Sequence, residues 1–356
     1  SMSGDYAIVG AIGDMIGGNS VKGSAYIFKR NGATWIQEAK LTASDGAAYD
    51  NFGYCVSISG DYAIVGVPDK DAGQGAVYVY KRTGTIWNQQ AKISAVDGAS
   101  GDNFGKSICF SGDDIIIGSP DHDPNFTSNS GAAYIFRRNL NTWSQQAKLS
   151  LTNIQQFDFF GHSVGISGDF AIISALRSYL DPPTTYIFKR TGTTWSQTAA
   201  LVVPTSPTIL PAGNTVLVSG DYALVNNIVY NIDPNIPPQY QVYAFKRNNT
   251  GSAWAFESEL VPNDISTRNG FCVSLSLSGD VAVVGASGAN GGQGAAYIYK
   301  HIGSIWKLES TIVASDAHGD AFGFAVSISS NNIIVGAPFD DEGLNYDQGA
   351  VYFFNK

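Results

Sequence analysis

Residues 52–82 read FGYCVSISGDYAIVGVPDKDAGQGAVYVYKR, and Trp87 follows five positions later. Within this stretch Cys55, Ser57 and Ser59 alternate with Val56 and Ile58. A period of two means a β-strand with one small face and one bulky face. Ser59-Gly60-Asp61 is a tight turn, after which Asp61 to Gly66 is a second apolar run. Ala76 to Arg82 is a third strand, rich in Val and Tyr, and a fourth starts at Trp87 and runs through Ile93. The unit is therefore four short antiparallel strands, here named A to D in chain order.

The same unit recurs along all 356 residues. Repeats begin near residues 4, 60, 112, 168, 220, 279 and 330, marked by Gly4-Asp5, Gly60-Asp61, Gly112-Asp113, Gly168-Asp169, Gly220-Asp221, Gly279-Asp280 and the degenerate Ser330-Asn331. A period near fifty residues with four strands per unit predicts an all-β, seven-bladed β-propeller of four-stranded antiparallel blades, forming a single domain over residues 1–356 with incomplete terminal blades. Strand A is expected innermost. Trp35, Trp87, Trp143, Trp195, Trp254 and Trp306 each open a D strand. A feature present once per blade reads as architecture rather than as a binding site.

Composition agrees with this plan. Gly (40), Phe (19) and Tyr (18) are abundant, and no segment has sustained helical periodicity. No apolar run approaches the roughly 20 residues that span a bilayer, so membrane insertion is not expected. A net charge of −9 repels phosphate backbones and argues against a nucleic-acid partner. Cys55, Cys109 and Cys272 are too few and odd in number for a disulfide framework, and are expected to be reduced and buried on inner strands.

The repeat resembles the FG-GAP (integrin-α-like) repeat. Phe322-Gly323 followed by Gly336-Ala337-Pro338 matches both halves of that pattern. Phe52-Gly53 with Gly66-Val67-Pro68, and Phe104-Gly105 with Gly118-Ser119-Pro120, come close, while Phe160-Gly161 keeps the first half. The resemblance implies a propeller that is secreted or on the cell surface and recognises a protein or a glycan. It also implies calcium in some A–B turns, and here the sequence departs. A Ser-Gly-Asp turn offers too few oxygens to wrap that ion.

Recognisable strands number 26: the first blade lacks strand A and the last lacks strand D. Something unrecognised then completes the ring, or the chain belongs to a longer protein. The oligomeric state is not legible.

Strand reversal puts the A–B and C–D turns at one end of each blade and the B–C and D–A loops at the other. Strand C ends in basic pairs (Lys29-Arg30, Lys81-Arg82, Arg137-Arg138, Lys189-Arg190, Lys246-Arg247), placed to pair with the aspartates of the A–B turns. The opposite end is acidic. If calcium binds, the expected ligands are Asp69, Asp71, Asp121, Asp123, Asp340 and Asp341. The other reading is that these carboxylates cap turns.

His122, His162, His301 and His318 lie in different blades without metal-ligand spacing, and no phosphate loop is present. A non-catalytic extracellular binding or adhesion module is the leading expectation. A lectin-like carbohydrate-binding propeller, or an enzyme acting at the mouth, are the alternatives. The B–C loops 174–185 and 226–241 depart from the repeat. Arg177, Tyr179, Asp181, Tyr230, Asp233 and Tyr240 are the ligand-binding residues they suggest, against a reading of neutral drift.

Overall fold

The computed structural model describes residues 1–17, 20–123, 128–176, 184–204, 209–212, 215–231, 239–248, 253–262, 270–315, 319–341 and 348–356. The fold is a seven-bladed β-propeller of antiparallel sheets. By contact density the chain divides into two units, Ser1–Ser178 with Phe188–Ser196, and Tyr179–Ile187 with Gln197–Lys356.

Blade 2 shows the plan: strands A (Cys55–Ser59), B (Tyr62–Val67), C (Ala76–Thr83) and D (Ile86–Ile93), paired in that order. Blades 3, 4 and 6 repeat it. Strands B and C are buried along most of their length, whereas D alternates and faces solvent. The described residues form 28 strands rather than 26. Blade 1 does have a strand A, reduced to Met2–Ser3 and paired with Tyr6–Ala11. The last sheet has three strands.

The second extra strand is in blade 5 and corrects the expected loop 226–241. Strand B of this blade runs Tyr222–Asn231, and strand C resumes at Gln239. Val225, Ile228, Val229 and Tyr230 carry strand propensity past the point where other blades turn, and the added strand Ile209–Ala212 pairs with Ile228–Asn231. Pro211 is tolerated there because that strand has a partner on one side only.

Glycines explain the repeat motif. A Cβ on Gly66 of strand B would sit 2.2 Å from the carbonyl oxygen of Gly105, the glycine that opens blade 3, and 2.4 Å from Cys55 Sγ. The same contact recurs for Gly118 against Gly161 at 2.0 Å and for Gly285 against Gly323 at 2.0 Å. Blades interlock backbone to backbone at this point, which only glycine permits. The phenylalanine before each opening glycine is wholly buried. Phe104 packs on Tyr134, and Phe322 on Tyr352.

Small residues on strand A lace neighbouring inner strands together. Cys55 Sγ donates to Gly105 O at 3.0 Å, and Ser107 and Ser274 donate to Gly161 O and Gly323 O at 2.9 Å. Ser276 Oγ accepts from the Ile328 amide at 3.0 Å. These side chains satisfy backbone groups on strands that have a sheet partner on one side only. Only Cys272 is fully buried; Cys55 and Cys109 are half-buried, because their strands are the inner edges of their sheets. Cys272 is also not on the small face. It follows Phe271 in the place of the motif glycine, with φ of 65°. All three cysteines are free, and desolvation raises each thiol above its ordinary value.

The tryptophans are architectural, as their periodicity predicts. Trp87 Nε1 donates to Glu38 of blade 1 at 3.0 Å, and Trp143 Nε1 to Gln90 of blade 2 at 3.3 Å. Each meets a strand-B tyrosine of the preceding blade edge to face, Tyr6 and Tyr62 respectively.

Candidate functional site

At the A–B end, one strand-C arginine in each of blades 1 to 5 pairs with the aspartate of the A–B turn. Arg30 pairs with Asp5 at 2.5 Å and Arg190 with Asp169 at 2.7 Å. Arg82, Arg138 and Arg247 pair in the same way with Asp61, Asp113 and Asp221. The guanidinium of Arg82 lies 4.3 Å above the Tyr6 ring, and that of Arg138 4.1 Å above Tyr62. The expected pairing of rim bases with turn aspartates is present in these five blades. In blade 6 His301 replaces arginine and pairs with Glu257 at 3.1 Å.

At the other end, D–A loop aspartates meet a tyrosine of strand C and a lysine of strand D. Asp45 accepts from Tyr78 Oη at 2.5 Å and Lys92 Nζ at 2.9 Å. Asp97 is held by Tyr134 and Lys148. In blade 1, Asp14 of the B–C loop is held by Tyr26, Ser24 and Lys40. Burial pushes Asp45 up, but the hydrogen bonds from Tyr78 and Lys92 outweigh it and hold the carboxyl at about 2. Asp97 and Asp14 are lowered by the same balance. Buried Lys70 Nζ lies 3.0 Å from Asp50 and 2.7 Å from the Asp45 carbonyl. His122 takes the place of Lys70 in blade 3: Nδ1 is 2.7 Å from Asp102 and Nε2 is 2.8 Å from Lys148 Nζ. A lysine ammonium can only donate, so Nε2 is the acceptor and Nδ1–H points at Asp102. Among the described acids of this end, Asp14, Asp45, Asp50 and Asp97 are thus paired with lysines within the fold.

The proposed metal ligands are distributed among such partners. Asp69 accepts from Asn51 at 2.6 Å, and Asp71 faces Lys92 at 3.1 Å. Asp121 accepts from Asn103 at 2.6 Å and Asn129 at 3.2 Å, with Lys106 at 3.5 Å. Asp123 accepts from the Asn129 amide, and Asp340 from Tyr352. Asp341 is exposed. Among the described residues no group of three or more His, Cys, Asp or Glu is arranged to hold a metal ion. Of the suggested ligand-binding residues, Arg177, Tyr179, Asp181 and Asp233 lie outside the described residues. Tyr230 is on strand B and Tyr240 on strand C of blade 5, Tyr240 half-buried against the core.

Residues that sequence reasoning missed stand in the D–A loops. The four alignable loops read Tyr49-Asp50-Asn51-Phe52, Gly101-Asp102-Asn103-Phe104, Phe157-Asp158-Phe159-Phe160 and Gly319-Asp320-Ala321-Phe322. The aspartate is buried in each; in the first three its carboxylate accepts the amide three residues before it. The positions on either side of it are left-handed in all four. Glycine suits the first of them, with φ of 91° at Gly101 and 107° at Gly319. Blades 2 and 4 instead carry Tyr49 (φ 66°, 74% exposed) and Phe157 (φ 65°, 45% exposed). Blade 4 adds Phe159 at φ 47° in the second position. Such a conformation costs a non-glycine residue about 1–2 kcal/mol. The signal was the loss of glycine beside the invariant loop aspartate.

The FG-GAP repeat family matches residues 35–80, 87–136, 143–188, 254–299 and 306–354. Each segment runs from the D-strand tryptophan through strand C of the next blade, and residues 189–253, with most of the irregular blade 5, fall outside them. No curated protein matches the chain. The crystal structure of a protein from Lactobacillus plantarum is similar, with a TM-score of 0.57 and 13% identity over 99% of each chain. At that identity the likeness concerns the fold. Among the described residues no helix is long and apolar enough to cross a membrane.

Proposed function

This chain belongs to the FG-GAP repeat family, and from that premise we propose that it is a non-catalytic recognition module whose ligand docks on the B–C and D–A loop end of the blades. One observation carries this reading. The loop end holds exposed aromatic side chains at left-handed positions that the fold elsewhere fills with glycine, whereas the arginines of the opposite end are taken up by repeated ion pairs. Strain retained at an exposed position is a mark of function. The polar clusters support the non-catalytic part. The aspartate–tyrosine–lysine arrangement occurs in blades 1 and 3 as well as 2, so it belongs to the architecture. His122 is buried between a carboxylate and an ammonium rather than facing a nucleophile. An exported or cell-surface location is part of the proposal and rests on the family resemblance.

The test is an array carrying purified polysaccharides and purified proteins, probed with the full chain. Tyr49→Gly and Phe157→Gly are expected to weaken binding that Arg82→Gln leaves intact. Loss confined to Arg82→Gln would overturn the assignment of the face. Time-dependent release of fragments from any arrayed substrate would overturn its non-catalytic character.

A further inference from the structure

We infer that Phe157 and Phe159 form a stacking shelf for an uncharged carbohydrate chain; this rests on the loop-end reading above and names its ligand class. The two rings lie 6.2 Å apart at an interplanar angle of 34°, with Phe157 exposed and Phe159 half-buried. Core pairs meet differently: Phe104 and Phe136 are edge to face at 80°. The shelf is held from below by backbone. The Phe157 amide donates to Ser128 O at 3.0 Å and the Phe159 amide to Asn129 O at 3.0 Å, so the D–A loop of blade 4 is fixed to the B–C loop of blade 3. Asp158, between the two rings in sequence, is buried and accepts from the Gln155 amide at 2.8 Å. The shelf is thus preorganised, which lowers the ordering cost of binding.

Charge around the shelf selects the ligand. Asp121 faces Lys106 and accepts from the side-chain amides of Asn103 and Asn129, and Asp158 is buried. That leaves Asp123, exposed and one hydrogen bond away at Asn129, as a single carboxylate. A cationic peptide would require a run of unpaired acids, and among the described residues named here the one base, Lys106, already faces Asp121. A sugar ring needs something else: an aromatic face for its C–H bonds, which carry partial positive charge toward the negative π-face, and a few acceptors for its hydroxyls. Two rings side by side offer a platform longer than one ring, suited to consecutive residues of a chain.

Native gel electrophoresis through dissolved neutral polysaccharides (a β-glucan, a xylan and a mannan) tests this, and the acidic chain migrates well in such gels. The wild-type chain is expected to be retarded by at least one of them. Phe157→Gly with Phe159→Asn restores the Gly-Asp-Asn loop of blade 3. It should raise the polysaccharide concentration for half-retardation about tenfold or more, with an unchanged or higher thermal midpoint. Leu140→Gly is the control. Leu140 is exposed at φ 57° in a C–D turn at the opposite end, so its replacement should relieve the same strain and leave retardation unchanged. No retardation of wild type by any neutral polysaccharide overturns the inference, as does a double variant that is retarded like wild type. If the array instead shows a protein ligand lost in Phe157→Gly, the carbohydrate assignment fails while the loop-end reading stands. Binding indifferent to both Tyr49 and Phe157 removes both.

Discussion

Gly66→Ala and Gly336→Ala change the same motif glycine in two blades, and the structure assigns them opposite outcomes. Neither glycine has a left-handed backbone, so alanine is not excluded by conformation. At Gly66 the new methyl would lie 2.2 Å from Gly105 O and 2.4 Å from Cys55 Sγ. An ordinary carbon–oxygen contact is no closer than about 3.3 Å, so the neighbouring blade must retreat by roughly 1 Å. Gly105 cannot move alone: its amide donates to Gly118 O at 3.0 Å, and its own Cβ position is 2.7 Å from Ala76 O. Overpacking against such constrained backbone costs about 3 kcal/mol or more. At Gly336 the methyl meets only Ala325, with Cβ at 3.7 Å and O at 3.8 Å, which is ordinary contact. Loss of unfolded-state freedom then stabilises by about 0.4–1 kcal/mol. Urea and thermal unfolding of both variants, read by fluorescence of the six tryptophans, should separate them by about 3 kcal/mol or more in that order. Equal stabilities, or a Gly66→Ala protein within about 0.5 kcal/mol of wild type, would refute the claim that the motif glycines exist to let blades approach.

Acid should weaken the protein through Asp45, Asp97 and Asp14, whose carboxyls are all held below their unfolded value of 3.8. A depressed carboxyl contributes stability that is present above its unfolded pKa and fades as pH falls through its folded one, here from about 4 toward about 2 for Asp45. Asp45→Asn should therefore lower the unfolding midpoint at neutral pH, with the difference closing at the acid limit; a pH-independent difference would count against it. Native protein should react slowly with a thiol reagent near pH 8, Cys272 most slowly, because burial raises all three thiols; rapid labelling of Cys272 would contradict its placement. Added calcium is expected to leave the thermal midpoint unchanged, since Asp69 and Asp121 are already held by asparagine amides. A saturable rise, abolished by Asp69→Asn, would instead support calcium at these aspartates.

Architecture was legible because the repeat states each strand six or seven times. Alternation in 55–59 located strand A, and Trp87 located strand D to within one residue. Prediction failed where one copy left the consensus. Blade 5 has no Phe-Gly, so its long hairpin and its extra strand Ile209–Ala212 carried no phase to be read against. Cys272 reads in the sequence as one more inner-strand cysteine, whereas in space it replaces a glycine. Asn226 stands in the place of the strand-B glycine opposite it, and its side-chain amide reaches the Cys272 carbonyl at 2.8 Å. An interlock built elsewhere from bare backbone is built here from a side chain. That exchange is invisible one blade at a time.

The loop end reads as acidic in the sequence, and several of its carboxylates are paired within the fold. Net charge counts carboxylates without asking what each one touches. Lys92, Lys148 and Lys40 come from D strands and reach up to the loops, so charges far apart in sequence cancel in space. What the count cannot cancel is conformation. A left-handed backbone at residue 157 is imposed by the loop, since the equivalent residues 49, 101 and 319 adopt it whatever their side chain. Glycine at that place is therefore the residue of least strain, and an aromatic ring there is sustained against the preference of its own backbone. Drift toward any residue that merely fits would return glycine or asparagine. Blade 4 carries the side chain at that cost, and on the reading proposed above the exposed part of the ring is what meets the ligand.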